Sequence, residues 1–404
     1  MDKFWKKSNS NAALVLFFTL SMLAVAPAVA ANYEINVILP QTGSGSFMGR
    51  AEQHALELLR QSVNASGGIQ GRPVQFNYLD DQSSPQTAVQ LANQVLATHP
   101  AVMIGSALVA LCNAMAPLMQ NGPVMYCMSP GIHPAKGSYV FTASVSTHDL
   151  ENALIRYFRM KGWTRIALIT STDASGQDAE RGIDEVMKLP ENKSMVLVER
   201  AHFNPTDVSV SAQIERVKAA NPQAFIAWST GAPIATIFKG IIQAGLNVPV
   251  ATTNGNMTYA QMKQYAAFLP RELYFPVAVG AVQSPTALSA SVLKLTPETS
   301  KAQDEFYGAY KLENGTPDQP ASTAWSPAVV LIDALRKLGP NASATQVRDY
   351  LLNLKNYAGV HGIYDFEKTP QRGLNVDNAV VTRWDVARQG WETMSQPTGI
   401  PLGK

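Results

Sequence analysis

The chain has 404 residues, 46% of them hydrophobic, and its 32 lysines and arginines against 30 acids give a formal charge of +2. Residues 1–30 hold three lysines and one aspartate, so the rest of the chain is formally neutral. A neutral chain without a basic run excludes nucleic acid and anionic membrane surfaces as expected partners. The remainder also exceeds the ~250 to 300 residues at which a single core stops growing, so two domains are expected.

The first thirty residues have the pattern of a secretory signal peptide. Lys3, Lys6 and Lys7 precede an apolar run from Ala12 to Val25, and Ala28-Val29-Ala30 supplies small residues for cleavage. The run is shorter than the ~20 apolar residues of a membrane-spanning helix, although an uncleaved N-terminal anchor is an alternative. We therefore expect cleavage near Ala30 and a soluble mature protein outside the cytoplasm.

A complete βαβ unit follows directly. Ile35–Leu39 is an apolar strand, Gln41–Gly49 is a glycine-rich loop that leads into an amphipathic helix, and Val74–Leu79 is the next strand. Ligands of parallel sheets bind where such strands end. The unit therefore predicts a ligand site at the loop.

A dinucleotide-binding enzyme is the alternative for this unit. Gly43, Gly45 and Gly49 after a strand resemble the dinucleotide fingerprint, and Asp80 or Asp81 ends the second strand where a ribose-binding acid would stand. The spacing has one residue too many before the third glycine, and a nicotinamide cofactor does not suit an exported protein. We expect no cofactor and no enzymatic activity.

Hydrolase and metal chemistry also lack support in the sequence. It contains no Gly-x-Ser-x-Gly and no His-Glu-x-x-His motif, and its six histidines show no metal-ligand spacing. We expect no metal site.

Strands and helices continue to alternate along the chain, which predicts an α/β fold with parallel sheets covered on both faces. A helix over Val109–Gln120 separates the strands Val102–Gly105 and Val124–Cys127, and a second sheet begins at Arg165–Thr170. No Pro/Gly-rich linker divides the chain. Extended stretches at 143–146, 275–280 and 359–362 are instead interpreted as three crossovers between two lobes.

Six short motifs in register resemble the periplasmic solute-binding proteins of the branched-chain amino-acid (Leu/Ile/Val-binding) ABC transporter family. They are Gly67–Pro73, Asp80-Asp81, Ala116-Pro117, Ser129-Pro130, Lys161–Arg165 and Ala244-Gly245-Leu246.

The resemblance implies a type I periplasmic-binding fold with two Rossmann-like lobes and a three-segment hinge. One lobe would comprise residues 32–145 and 279–358, and the other residues 146–278 and 359–404. It also implies a monomer that holds a ligand between the lobes and delivers it to permease subunits in the inner membrane.

The resemblance also indicates where the ligand binds. Relatives hold an α-carboxylate at positions that match Leu108 or Val109 and His133, and an α-ammonium with an acid at the position of Asn254. Ser175 stands where relatives often place a tyrosine. With the apolar residues that face the expected cleft, the candidate ligand-binding residues are Phe47, Met48, Ser106, Leu108, Val109, Ser129, Gly131, His133, Ser175, Trp228, Thr230 and Asn254.

These residues favour a ligand with a carboxylate, an apolar and aromatic body, and no amine. A buried ammonium that faced the neutral amide of Asn254 would lack its counter-charge. Free N–H groups of the helix that begins near Val109 suit a carboxylate. The pattern resembles the aromatic-acid-binding branch of the family. The alternatives are a branched-chain or other apolar amino acid, or a sensory module that uses the same fold.

Cys112 and Cys127 are the only cysteines. Both lie near one edge of the first predicted sheet, and an exported chain permits a disulfide between them. Two buried free thiols are the alternative.

Overall fold

The computed structural model describes residues 1–2, 31–282 and 291–403. The predicted signal peptide, apart from Met1 and Asp2, lies outside the described residues. Within those residues, no helix has the length and apolar character needed to span a membrane.

The first lobe is built on a five-stranded sheet with the order β2-β1-β3-β4-β5, in which every neighbouring pair is parallel. Helices cover both faces of such a sheet, and every residue of the inner strands β3 and β4 is accordingly buried. The edge strand β2 instead alternates apolar with polar residues over its first four positions. The strands are β1 (Tyr33–Leu39), β2 (Val74–Asp80), β3 (Val102–Ile104), β4 (Val124–Cys127) and β5 (Val140–Thr142).

The second lobe is built on a seven-stranded sheet with the order β14-β13-β10-β9-β8-β6-β7. Its last two strands along the chain are antiparallel to their neighbours, and the other pairs are parallel. The strands are β6 (Arg165–Ser171), β7 (Val196–Phe203), β8 (Ala224–Trp228), β9 (Val250–Ala251), β10 (Leu273–Ala278), β13 (Ala379–Asp385) and β14 (Gly390–Thr393). The pair β11 (Tyr357–Gly359) and β12 (Gly362–Tyr364) forms a separate hairpin.

Helices flank both sheets. In the first lobe, the buried stripe of the helix after β1 includes Ala55, Leu59 and Val63 and packs against the helix that begins at Gln319. The helices of the first lobe are α1 (Ser46–Ala65), α2 (Pro85–Leu96), α3 (Val109–Met115), α9 (Pro297–Lys311), α10 (Gln319–Leu338) and α11 (Ala344–Leu352). Those of the second lobe are α4 (Thr147–Met160), α5 (Ala174–Met187), α6 (Ser211–Ala219), α7 (Ile234–Ala244) and α8 (Tyr259–Gln264).

Two glycines allow the strand-to-helix turns to close tightly at the edge that both lobes present to each other. A Cβ atom at Gly49 would lie 2.3 Å from the carbonyl oxygen of Pro40, and one at Gly176 would lie 1.8 Å from that of Ser171. Any larger residue would therefore push the helix away from the strand end.

The third crossover differs from its predicted position. The sequence places it at 359–362, but Val360, Tyr364, Phe366 and Leu374 belong to the core of the first sheet. The Phe366 ring lies 5.8 Å from that of Phe141 in β5. Because these apolar side chains fold back onto the first sheet, the chain enters the second lobe only between Leu374 and Ala379.

Candidate functional site

A cavity of about 380 Å³ lies between the two lobes. Six segments supply most of its walls: those that follow β1, β3 and β4 in the first lobe, and those that follow β6, β8 and β9 in the second. All six segments leave the carboxyl ends of parallel strands, which is where α/β sheets bind ligands. The cavity is therefore the candidate ligand site.

Nine of the predicted site residues line this cavity. They come from six separate segments of sequence, and only the packing of the lobes brings them together. They are Met48, Leu108, Val109, Ser129, Gly131, Ser175, Trp228, Thr230 and Asn254.

The other three predicted residues do not line the cavity. Phe47 packs edge-on against Tyr265 of the second lobe, with ring centroids 6.3 Å apart. Ser106 is fully buried beneath the first-lobe wall, where its hydroxyl is occupied by Asp81. The His133 ring turns to Asp178, with Nε2 2.8 Å from Oδ1, so it is not placed to contact a ligand carboxylate in the cavity.

The second-lobe wall combines one large aromatic side chain with small polar groups. Trp228 is 2% exposed and ends β8 as part of the core, so its position is fixed. The hydroxyls of Ser175 and Thr230 lie 2.7 Å apart and share one hydrogen bond. The Thr253 hydroxyl donates to Asn254 Oδ1 at 3.3 Å, which leaves the Asn254 amide hydrogens as donors toward the cavity.

The first-lobe wall offers backbone N–H groups. Leu108 is extended and precedes the short helix α3, whose first N–H groups have no partner within the helix. Cys112 and Cys127 form a disulfide beneath this wall, with Cα atoms 6.3 Å apart. Both sulfurs lie against the Ser106 carbonyl oxygen, at 3.0 and 3.4 Å. The disulfide therefore ties the start of α3 to the end of β4 directly behind the cavity.

Two polar residues outside the set predicted from the sequence also line the cavity. Glu52 and Gln319 are each 1% exposed. Glu52 Oε2 and Gln319 Nε2 have no hydrogen-bond partner among the described residues. The helical spacing of the sequence could have identified Glu52. It lies four residues after Met48 and four before Leu56, so its carboxyl falls on the buried stripe of α1. Gln319 had no comparable signal.

The electrostatics of the cavity follow from its acids. Burial raises the pKa of Glu52 well above its usual range, and the nearby charge of Asp81 raises it further. Asp173 caps α5 and accepts from the N–H groups of Ser175 and Gly176 at 3.1 Å. No lysine, arginine or histidine is found among the described residues that line the cavity. A ligand anion would therefore depend on N–H and amide donors.

The sequence and the structure are similar to known proteins. A family model for periplasmic binding proteins matches residues 32–390. A "Leu/Ile/Val-binding protein homolog 3" of Brucella melitensis is 22% identical over 209 residues, which cover 50% of this chain and 55% of that protein. The chain thus aligns with about half the length of the curated relatives it matches.

Solved structures share the fold. A solute-binding protein of an R. palustris ABC transporter in complex with benzoate has a TM-score of 0.72 at 16% identity, covering 92% of this chain and 98% of that one. A branched-chain amino-acid transporter substrate-binding protein from Streptococcus pneumoniae in complex with isoleucine has a TM-score of 0.71 at 17% identity, with the same coverage. Together with further neighbours, these likenesses show the type I periplasmic-binding fold.

Proposed function

We propose that this chain, which belongs to the periplasmic binding protein family, is the extracytoplasmic substrate-binding component of an ABC importer. It captures a small carboxylate between its two lobes and delivers it to permease subunits in the inner membrane. The support is the interlobe cavity, whose walls come from the strand ends of both sheets. The signal-peptide pattern of residues 1–30 agrees with this location.

The proposed ligand is an aromatic acid without an α-amine. The observation that carries this choice is Asn254, which is 2% exposed and lines the cavity with a neutral amide. A ligand ammonium buried beside it would have no counter-charge there, whereas a carbonyl or hydroxyl of the ligand can accept from the amide. Trp228, Leu108 and Met48 supply apolar surface for a ring.

A branched-chain or other apolar amino acid is the second candidate, and Glu52 is the observation in its favour. Its buried carboxyl lines the same cavity, and one of its oxygens has no hydrogen-bond partner in the part of the chain that the structure describes. In the neutral form that burial favours, this group donates a hydrogen bond. A ligand ammonium at the same place would instead favour the ionised form and pair with it.

Calorimetric titration of the mature protein with benzoate, 3-phenylpropanoate, phenylalanine and leucine separates the candidates. The proposal predicts that the two acids without an amine bind more tightly than the two amino acids. Leucine binding at micromolar affinity or better, with no binding of the aromatic acids, would overturn the aromatic assignment. In that case Glu52→Gln should weaken leucine, because it removes the only buried carboxylate of the cavity wall, apart from the helix-capping Asp173, among the described residues.

Small-angle scattering tests the delivery mechanism. A ligand that contacts both lobes shifts the population toward a closed form, because only differential affinity for the two forms moves the equilibrium. The radius of gyration should therefore fall at saturating ligand. An unchanged radius would favour a rigid receptor.

A further inference from the structure

Three side chains of the types that can ligate a metal meet at the rim of the cleft, outside the cavity. His133 lies in the loop after β4 of the first lobe, His148 is the second residue of α4, and Asp178 lies in α5 of the second lobe. The Nε2 atoms of His133 and His148 lie 2.8 Å and 3.3 Å, respectively, from Asp178 Oδ1. The candidate ligand atoms of all three residues lie within 4.8 Å of one another. The cluster therefore joins the two lobes.

Hydrogen bonding leaves ligand atoms of this cluster unused. Asp178 is 1% exposed, and its Oδ2 has no hydrogen-bond partner among the described residues. His148 Nδ1 lies 3.0 Å from Glu185 Oε2, and the buried Nε2 lies 3.3 Å from Asp178 Oδ1, a contact that is an ion pair only when the ring is protonated. In the neutral tautomer that carries its proton on Nδ1, this N–H donates a hydrogen bond to Glu185, and the lone pair of Nε2 faces the Asp178 carboxylate. In this neutral ring two electron-rich atoms are adjacent, and either a second proton or a metal cation between them relieves the repulsion.

We propose that His133, His148 and Asp178 bind a divalent transition cation such as Zn²⁺, which bridges the two lobes at the cleft rim. Two imidazole nitrogens and one carboxylate oxygen are a common protein donor set for this ion, and water takes the fourth position. Ligand atoms at ~2.0 to 2.2 Å from a tetrahedral ion lie about 3.4 Å apart. The 3.3 Å distance from His148 Nε2 to Asp178 Oδ1 is close to this spacing. The 2.8 Å distance from His133 Nε2 is shorter, so the exposed His133 ring must move back from Asp178 when the ion binds.

The surroundings of the cluster are those of a metal ligand set. A carboxylate on the second ring nitrogen of a ligating histidine fixes its tautomer and orientation, and Glu185 has this relation to His148. Gly182 leaves room for the His148 ring, because a Cβ atom there would lie 2.7 Å from its Cδ2. Glu151 adds a buried carboxyl nearby. Arg181 is the opposing charge, at 3.1 Å from Asp178 Oδ1, and its 58% exposed side chain must swing into solvent when the ion binds.

A metal bridge between the lobes would couple the binding of the metal to the binding of a ligand in the cavity. His133 belongs to the first lobe, and the other two groups to the second, so the ion favours the arrangement in which the lobes approach. Gly131, which lines the cavity, also lies beside the cluster, because a Cβ atom added there would be 3.0 Å from Asp178 Oδ2. A ligand that closes the same cleft would then bind more tightly in the presence of the ion, and the ion would bind more tightly in the presence of that ligand.

The test is calorimetric titration of Zn²⁺ into untagged mature protein, with His133→Ala, His148→Ala and a matched control, His202→Ala. His202 is exposed to 49%, against 44% for His133, and its Nε2 likewise contacts one carboxylate, Glu180, at 2.6 Å. We expect one Zn²⁺ per chain in the wild type and in the control, and affinity at least tenfold weaker in the two cluster variants. His133→Ala changes a half-exposed loop residue, so it keeps the test valid if His148→Ala fails to fold.

Two outcomes would overturn the proposal. One is the absence of stoichiometric Zn²⁺ binding at micromolar concentration in the wild type. The other is an equal loss of affinity in His202→Ala and His133→Ala, which would indicate dispersed binding to surface histidines. The titration requires no ligand for the cavity, so its result is independent of whether the proposed function is correct.

Discussion

The Ser106 hydroxyl donates a 2.7 Å hydrogen bond to Asp81 Oδ2 beneath the first-lobe wall of the cavity. Both residues are fully buried. Burial raises the pKa of Asp81 to about 6, against the lowering effect of hydrogen bonds from Ser106 and from the Ser83 N–H. Ser106 therefore supports the ionised form of an otherwise costly buried acid, and it does not line the cavity.

The first prediction is that Ser106→Ala destabilises the protein more at pH 8 than at pH 5. A folded pKa above the unfolded value means that stability is lost as pH rises through about 6, and removal of the donor deepens that loss. Urea unfolding should show a loss of about 1.5 to 3 kcal/mol at pH 8, as for hydrogen bonds to charged groups. Ser209→Ala, at an exposed serine, is the control. Equal losses at both pH values would contradict this account.

The second prediction concerns the disulfide. Cys112 and Cys127 are separated by 15 positions, and opening a loop of that size should lower the free energy of unfolding by about 3 kcal/mol. Urea unfolding with and without reductant measures the difference, and the double variant Cys112→Ala/Cys127→Ala should not respond to reductant. Two titratable thiols in the denatured, unreduced protein would show that the bond is absent.

The third prediction concerns His361, which is fully buried between the carbonyl oxygens of Val279 and Ser322. Burial lowers its pKa to about 4, although both contacts favour the charged form. The unfolded chain therefore binds the proton more readily, so stability is lost as pH falls from about 6.5 to 4.

Replacement of this histidine should remove that dependence. Between pH 7 and pH 4, His361 should lower the free energy of unfolding of the wild type by about 3 kcal/mol. In His361→Gln, the free energy of unfolding should depend less on pH over this range. Urea unfolding across this range measures the slope, and the exposed His99→Gln is the control. If the free energy of unfolding changed with pH equally in the wild type and in His361→Gln, the lowered pKa of His361 would not be the cause of the pH dependence.

The fourth prediction is that Asn254→Asp weakens the aromatic acid. The variant puts a carboxylate in the cavity against a ligand oxygen, and the loss of affinity could reach ~2 to 5 kcal/mol if that charge is desolvated. Leucine should lose less or gain, because its ammonium pairs with the new carboxylate. Calorimetry with benzoate and leucine measures both. A uniform loss for the two ligands would point to a distorted cavity instead.

The fifth prediction is that Glu52→Gln raises the stability of the ligand-free protein at pH 8. The raised pKa of Glu52 means that its contribution is lost as pH rises through that pKa, whereas glutamine does not ionise. The gain should be about 1 to 3 kcal/mol at pH 8 and small at pH 5. Glu57→Gln on the same helix is the control, because Glu57 is partly exposed and pairs with Arg60 at 2.9 Å. No difference between the two variants would contradict the burial argument.

The local part of the fold could be predicted from the sequence. The βαβ unit from Tyr33 to Asp80 follows from hydrophobic periodicity and glycine-rich turns, which are properties of neighbouring residues. Helix α3 is shorter than predicted and ends at Met115, where a 3₁₀ turn that contains Pro117 follows, because proline cannot donate to a continuing α-helix. Strand ends also indicated most of the cavity, because parallel strands present their carboxyl ends to the same edge.

What only the tertiary structure decided is which partner each side chain has. Ser106 and His133 lie at the predicted strand ends, but Asp81 and Asp178, far away in sequence, occupy their polar atoms. The third crossover follows Leu374, and not 359–362 as predicted, because Phe366 packs against Phe141 in the core of the first lobe. Sequence patterns record the period with which a segment buries its residues. They do not record which distant surface buries them, because that depends on long-range packing between segments far apart in the chain.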